Sequence, residues 1–186
     1  MKYIDKIIDS KKTVFTYQDM PIILGIDNKD TIKSYFARGV KAGIFKSIFK
    51  GIYALHDYNA RELANKLKKN SYISFETILK KEGIIFQDYG NTIFSASNQS
   101  IQKTIGRRTF TYLKIKDSIL LNPLGLVHMG QYTIASAERA ICDRIYLSSN
   151  YYFDSLEHVD KEKLQEISHI YNKRVILEVN TIIHHA

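Results

Sequence analysis

The sequence has one cysteine, Cys142, so no disulfide can form within the chain, and this thiol usage fits a reducing compartment. No stretch approaches the roughly 18 consecutive apolar residues that span a bilayer. The first residues, MKYIDKIIDSKK, mix acids into an apolar pattern and carry no small-residue cleavage site, so a signal peptide is not expected and a cytoplasmic location is. A glycine-rich phosphate loop, zinc-type Cys/His spacing and a nucleophile elbow are all missing. The chain is therefore not expected to be an enzyme, nor to need a metal or an organic cofactor.

The isolated reactive side chains fit that expectation. Cys142 falls on the inner side of a helical pattern, where a thiol is inert. Glu138 and Asp143 are about 140° apart around a helix and do not converge as an acid pair. Glu138 suits compensation of a helix dipole, and Arg139 and Asp143, at i and i+4, suit a surface ion pair. His184 and His185 are adjacent, so they point to different sides of a helix.

What is present is a foldable, basic chain. Of its 186 residues, 45% are hydrophobic and 25% charged, enough for a packed core in one ordinary domain or two small ones. The net charge of +8 is uneven. Residues 1–55 hold ten Lys/Arg against five Asp, and the remaining 131 hold seventeen bases against fourteen acids. A basic segment followed by a nearly balanced one suits a nucleic-acid module joined to a second domain.

The basic segment reads as three helices and a hairpin. Tyr3, Ile4, Ile7 and Ile8 mark one face of a first helix. Thr16 or Asp19 can cap a short second helix over Met20 to Leu24, with Pro21 in its first turn and Gly25 closing it. A third helix is expected from Asn28 to Ala42, stopped by Gly43, with Ile32, Tyr35, Phe36 and Val40 inward. Gly39 inside it costs roughly 1 kcal/mol in propensity. Residues 44–47 and 51–55 then form a β-hairpin, with Lys46 and Lys50 flanking its tip.

That order is a winged helix-turn-helix, expected over residues 1–56. Such folds place the N-terminal half of the third helix against base edges in the major groove. The expected contacts to double-stranded DNA are Asn28, Lys29, Thr31, Lys33, Ser34, Arg38 and Lys41 from the helix, with Lys46 and Lys50 from the wing.

Residues 57–186 read as a second, mixed α/β domain with a small sheet, which makes the whole chain α+β. Asn59 can cap a helix that buries Leu63, Ala64 and Leu67. Ser74 can cap another, with Thr77 at its third position and Gly83 as its stop. Short β-runs follow at residues 92–96, 110–115, 126–129 and 132–134. Helical spacing returns in TIASAERAICDRIYL, with Ala137, Ala140, Ile141 and Ile145 inward, and again over residues 160–184 with a break near Asn172.

KGIYALHD after the helix-turn-helix, then SYISFETILKKEGI, TFTYLKIK and IASAERAICDRIYL, resembles in order and spacing the AbiEi antitoxin family of type IV toxin–antitoxin systems. The likeness runs from about residue 3 to residue 150. It departs at residues 75–78, where the family favours small residues, and at Ala137, where it favours proline. The resemblance implies a phage-defence (abortive infection) antitoxin that represses its own operon by binding promoter repeats through the winged helix. It also implies a C-terminal domain that counteracts a nucleotidyltransferase-like toxin without needing a stable complex. No catalytic or toxin-binding residues carry over, and no membrane association is implied. The alternative is a stand-alone regulator whose C-terminal domain senses a ligand or a protein.

Overall fold

Helical and β-type patterns alternate along the chain. The computed structural model, which describes residues 3–185, arranges them as an α+β protein of two units, Met1–Lys69 and Asn70–Ala186. The first unit holds α1 (Ile4–Asp9), β1 (Val14–Thr16), α2 (Met20–Leu24), α3 (Lys29–Lys41), β2 (Lys46–Phe49), β3 (Ile52–Ala54) and α4 (Ala60–Leu67). β3 lies between β1 and β2 and is antiparallel to both.

Aromatic and aliphatic side chains hold the first three helices against this sheet. Ile7, Phe15, Met20, Leu24, Ile32, Tyr35, Phe36 and Phe45 form one buried cluster. Within it Phe36 stacks flat on Tyr53 from β3, their ring centroids 4.0 Å apart. Pro21 lies in the first turn of α2, and Gly25 ends that helix at φ +69°. At the end of α3 the Gly39 carbonyl accepts from the Ile44 amide at 2.9 Å, and Gly43 takes the left-handed conformation that only glycine adopts cheaply.

Three expectations in this unit need correction. Ile8 points outward, 64% exposed, because a six-residue helix presents little more than one turn to the core and Ile7 fills it. Val40 is also outward, and Gly39 takes the buried position on α3. Asp19 occupies the N-cap position of α2 but its side chain makes no capping bond; its carboxylate instead accepts from the backbone amide and the hydroxyl of Thr16, both at 2.8 Å.

The boundary also moves. Buried Glu62 of α4 accepts from the Thr13 amide at 2.8 Å and from its hydroxyl at 2.6 Å, and the Asn59 amide donates to the same hydroxyl. These bonds fasten α4 to the start of β1, so α4 belongs to the first unit and the division falls after Lys69 rather than after His56.

The second unit contains β4 (Tyr72–Ile73), α5 (Glu76–Lys81), β5 (Thr92–Ser97), β6 (Ile101–Ile105), β7 (Arg108–Lys114), α6 (Asp117–Leu120), β8 (Leu126–His128), β9 (Thr133–Ala135), α7 (Ala137–Leu147), α8 (Lys161–Ser168) and α9 (Lys173–His185). Its six-stranded sheet runs β6-β7-β5-β4-β9-β8 and is mixed, with β5/β7 and β4/β9 parallel. Two of these strands and α6 were not expected. β4 has only two residues, and β6 is an edge strand whose Gln102, Lys103 and Thr104 carry no apolar alternation. The break near Asn172 is present, and the Asn172 side chain accepts from the Val175 amide.

α7 passes through the middle of this unit, and it reverses the surface ion pair expected of Arg139 and Asp143. Both side chains are fully buried. All five guanidinium N–H groups of Arg139 have acceptors: the Tyr72 hydroxyl twice, and the carbonyls of Ile119, Asn122 and Leu124. Asp143 accepts from Tyr72, from Tyr171 at 2.7 Å and from Ser74 at 2.6 Å. Ser74 is thus a buried donor and not the cap of α5. The expected third-position Thr77 likewise serves elsewhere, accepting from the Phe94 amide.

Gly125 lies against this cluster. It has φ +74°, and a Cβ there would come within 2.8 Å of Ile167 and 2.9 Å of Arg139. Gly125→Ala should therefore cost on the order of 1–3 kcal/mol in overpacking, beyond the 1–2 kcal/mol of a left-handed residue. Gly130→Ala, at φ +76° with open space around it, should show only the smaller cost. Asp143→Ala should cost about 3–5 kcal/mol, because it strands a buried guanidinium. Urea unfolding followed by tyrosine fluorescence checks all three variants, and equal losses for the two glycines would refute the packing argument.

Candidate nucleic-acid interface

α3 is positioned by its two ends and its buried stripe. At its start Asn28 Oδ1 accepts from the amides of Asp30 (3.0 Å) and Thr31 (2.9 Å) and from the Thr31 hydroxyl (3.2 Å). Ile32, Tyr35, Phe36 and Gly39 face inward, which fixes the rotation of the helix about its axis. All nine residues expected to touch DNA are exposed: Asn28, Lys29, Thr31, Lys33, Ser34, Arg38, Lys41, Lys46 and Lys50.

Exposure does not put them in one place. At about 100° per residue, Ser34 and Lys41 lie opposite the buried stripe, Lys29 and Lys33 on one flank, and Thr31 and Arg38 on the other. Part of the expected chemistry is already engaged. The Asn28 oxygen and the Thr31 hydroxyl hold the first turn, and Lys33 pairs with Asp30 at 3.3 Å.

The hairpin also separates its two lysines. Lys46 pairs with Ala54 at the base, whereas Lys50 and Gly51, the latter at φ +75°, make the turn. Lys46 is thus about 13 Å from the tip along the strand and does not flank it as expected. The strands shift register between Ser47 and Phe49, and Phe49 is 44% exposed beside the turn.

A cleft of about 550 Å³ opens where these elements meet. Residues 16–18 before α2, Lys29 and Lys33 of α3, the hairpin turn at residues 49–52, and Lys66, Leu67 and Lys69 from the end of α4 line it. It therefore brings Lys29, Lys33 and Lys50 together and leaves Arg38, Lys41 and Lys46 outside. Lys66 and Lys69 were not among the expected contacts. Their signal was the basic run Lys66, Lys68, Lys69, which a boundary at residue 56 assigned to the wrong domain.

With the boundary after Lys69, the charge asymmetry sharpens. Residues 1–69 hold fourteen Lys/Arg against seven Asp/Glu, and residues 70–186 hold thirteen against twelve. Nearly all of the surplus belongs to the unit that carries α3.

Asp19 sets the local field beneath the cleft. It pairs with Lys66 at 2.6 Å and Lys12 at 3.0 Å. Burial pushes its carboxyl up, but the bonds from Lys66 and Thr16 outweigh burial and hold it below its ordinary value of 3.8.

In the second unit the buried charges are paired, Arg139 with Asp143, Glu76 with Arg144 and Glu138 with Lys163, and burial pushes the Cys142 thiol well up, away from the thiolate a nucleophile needs. Among the described residues no group of three or more His, Cys, Asp and Glu side chains is arranged to hold a metal ion. Among them, too, no helix is long and apolar enough to cross a membrane.

No protein-family model and no curated protein matches the chain. Among solved structures, it is similar to the RV2827C protein from Mycobacterium tuberculosis, with 10% sequence identity and a TM-score of 0.49. That match covers 99% of this chain and 77% of the other.

Because the folded value of Asp19 lies below its unfolded one, its stabilisation is complete above the unfolded value and is lost as pH falls through the folded one. Asp19→Asn should cost on the order of 1–3 kcal/mol at neutral pH. The gap from wild type should close as pH drops below 3.8. Hydrogen exchange of β1 and α4 amides against pH tests this; a gap that persisted at low pH would mean that the loss is not electrostatic.

Proposed function

We propose that the first unit is a winged helix-turn-helix that binds double-stranded DNA. We further propose that the whole chain is a non-enzymatic, cytoplasmic antitoxin of the AbiEi type, which represses its own operon and counteracts a nucleotidyltransferase-like toxin. The observation that carries the DNA reading is α3 itself: a capped thirteen-residue helix, rigidly seated on an aromatic core, presenting Lys29, Lys33, Ser34, Arg38 and Lys41 to solvent. Beside it a two-stranded hairpin carries Lys50 at its turn.

The element order supports the same reading, since a helix, a strand, two helices and a hairpin form the frame that sends a third helix into a major groove. The charge distribution supports it as well, because phosphate contacts dominate affinity for duplex DNA. The antitoxin role rests on the four ordered segments from residue 50 to residue 147 that resemble the family. It assigns neutralisation to the second unit.

Lys33→Ala and Arg38→Ala should each weaken binding to the chain's own promoter DNA by about 1–3 kcal/mol if they touch bases. A lysine that only neutralises a phosphate should lower the slope of log affinity against log salt by about 0.9 when removed. Gel-shift titrations at several fixed salt concentrations distinguish the two. Unchanged affinity for both variants would remove α3 from the interface. Co-expression with the adjacent reading frame tests the other half: the same two variants should still restore growth, whereas lack of rescue by the wild-type chain would refute the antitoxin role.

A further inference from the structure

The cleft beside α3 has more architecture than duplex binding requires. A double helix laid on α3 can brush its rim but cannot enter a space of about 550 Å³, which is the size of a small-molecule site. Its lining is divided by chemistry. Tyr17, Phe49 and Leu67 give it an apolar part, and five lysines surround them. Lys66 is balanced by Asp19 and Lys33 by Asp30, whereas Lys29, Lys50 and Lys69 pair with no carboxylate among the described residues.

Three uncompensated ammonium groups beside aromatic rings match a ligand that is anionic at one end and flat at the other. We propose that this cleft binds a free nucleotide, with the base against Phe49 and Tyr17 and the phosphates on Lys29, Lys50 and Lys69. The ligand would occupy lysines on the flank of α3 and at the wing tip, so nucleotide and duplex exclude one another. That second consequence rests on the DNA reading above; the site itself does not.

Calorimetric titration of the full chain with ATP, without DNA and at fixed salt, tests the site. Saturable binding is expected, and Phe49→Ala should weaken it roughly tenfold, as loss of base stacking does. Lys69→Ala should also weaken ATP binding severalfold. Arg38→Ala, on the far flank and outside the cleft, should weaken promoter binding and leave ATP binding unchanged, so failure of the DNA reading and failure of the nucleotide site give different patterns. Lys50→Gln provides a second exposed substitution, and melting temperatures confirm that each variant is folded.

Inorganic tripolyphosphate serves as the control for charge alone. If it binds as tightly as ATP and ignores Phe49→Ala, the cleft is a plain polyanion surface and the proposal fails. A single-stranded decanucleotide resolves the source of the nucleotide unit. Binding weaker than that of ATP supports a free nucleotide, and much tighter binding with the same variant sensitivity overturns it in favour of a strand. Absence of saturable ATP binding also overturns it.

Discussion

One buried charge pair governs how the second unit closes. Arg139 and Asp143 lie a turn apart on α7 with no exposure to water, and neither ion would be tolerated there without partners. The partners come from everywhere else in the unit. Tyr72 lies in the two-residue strand β4 and Ser74 just after it, Ile119 lies in α6, Asn122 and Leu124 in the loop that follows, and Tyr171 before α9. Tyr72 links the two ions directly, accepting from the guanidinium and donating to the carboxylate. The demand that both charges be satisfied sets where these segments go, which is why a two-residue strand can hold the centre of a six-stranded sheet.

The first unit uses buried carboxylates in a similar way. Glu62 ties α4 to Thr13, and Asp19 gathers Lys12, Lys66 and Thr16. Through these bonds α4 joins the unit that carries α3, and with it come Lys66 and Lys69. The cleft exists because of that attachment. Its positive character depends on how many of its lysines the two nearby aspartates, Asp19 and Asp30, leave uncompensated.

Much of this was legible in the chain. Asn28, Gly25 and Gly43 marked helix ends through local chemistry that no tertiary contact has to supply: a side-chain oxygen over the first amides, and left-handed φ values that favour glycine. The exposure of the seven candidate DNA contacts on α3 and at its cap followed from the helical period of Ile32, Tyr35 and Phe36. Edge strand β6 was not legible, because an edge exposed on most sides needs no apolar alternation. Nor was the role of Arg139 and Asp143, since i, i+4 spacing is the same whether the pair meets water or a core.

The sequence by itself therefore determined the three helices and the hairpin of the first unit, the cap of α3, the glycine stops, the identity of the basic helix and the concentration of charge near the N-terminus. All of these depend on residues within a few positions of one another. Only the tertiary structure decided the boundary after Lys69, the burial of Arg139 with Asp143, the separation of Lys46 from Lys50, and the meeting of Lys29, Lys50 and Lys69 around one cleft. Those outcomes depend on contacts between residues tens of positions apart, where the satisfaction of buried polar groups, rather than local propensity, selects the arrangement.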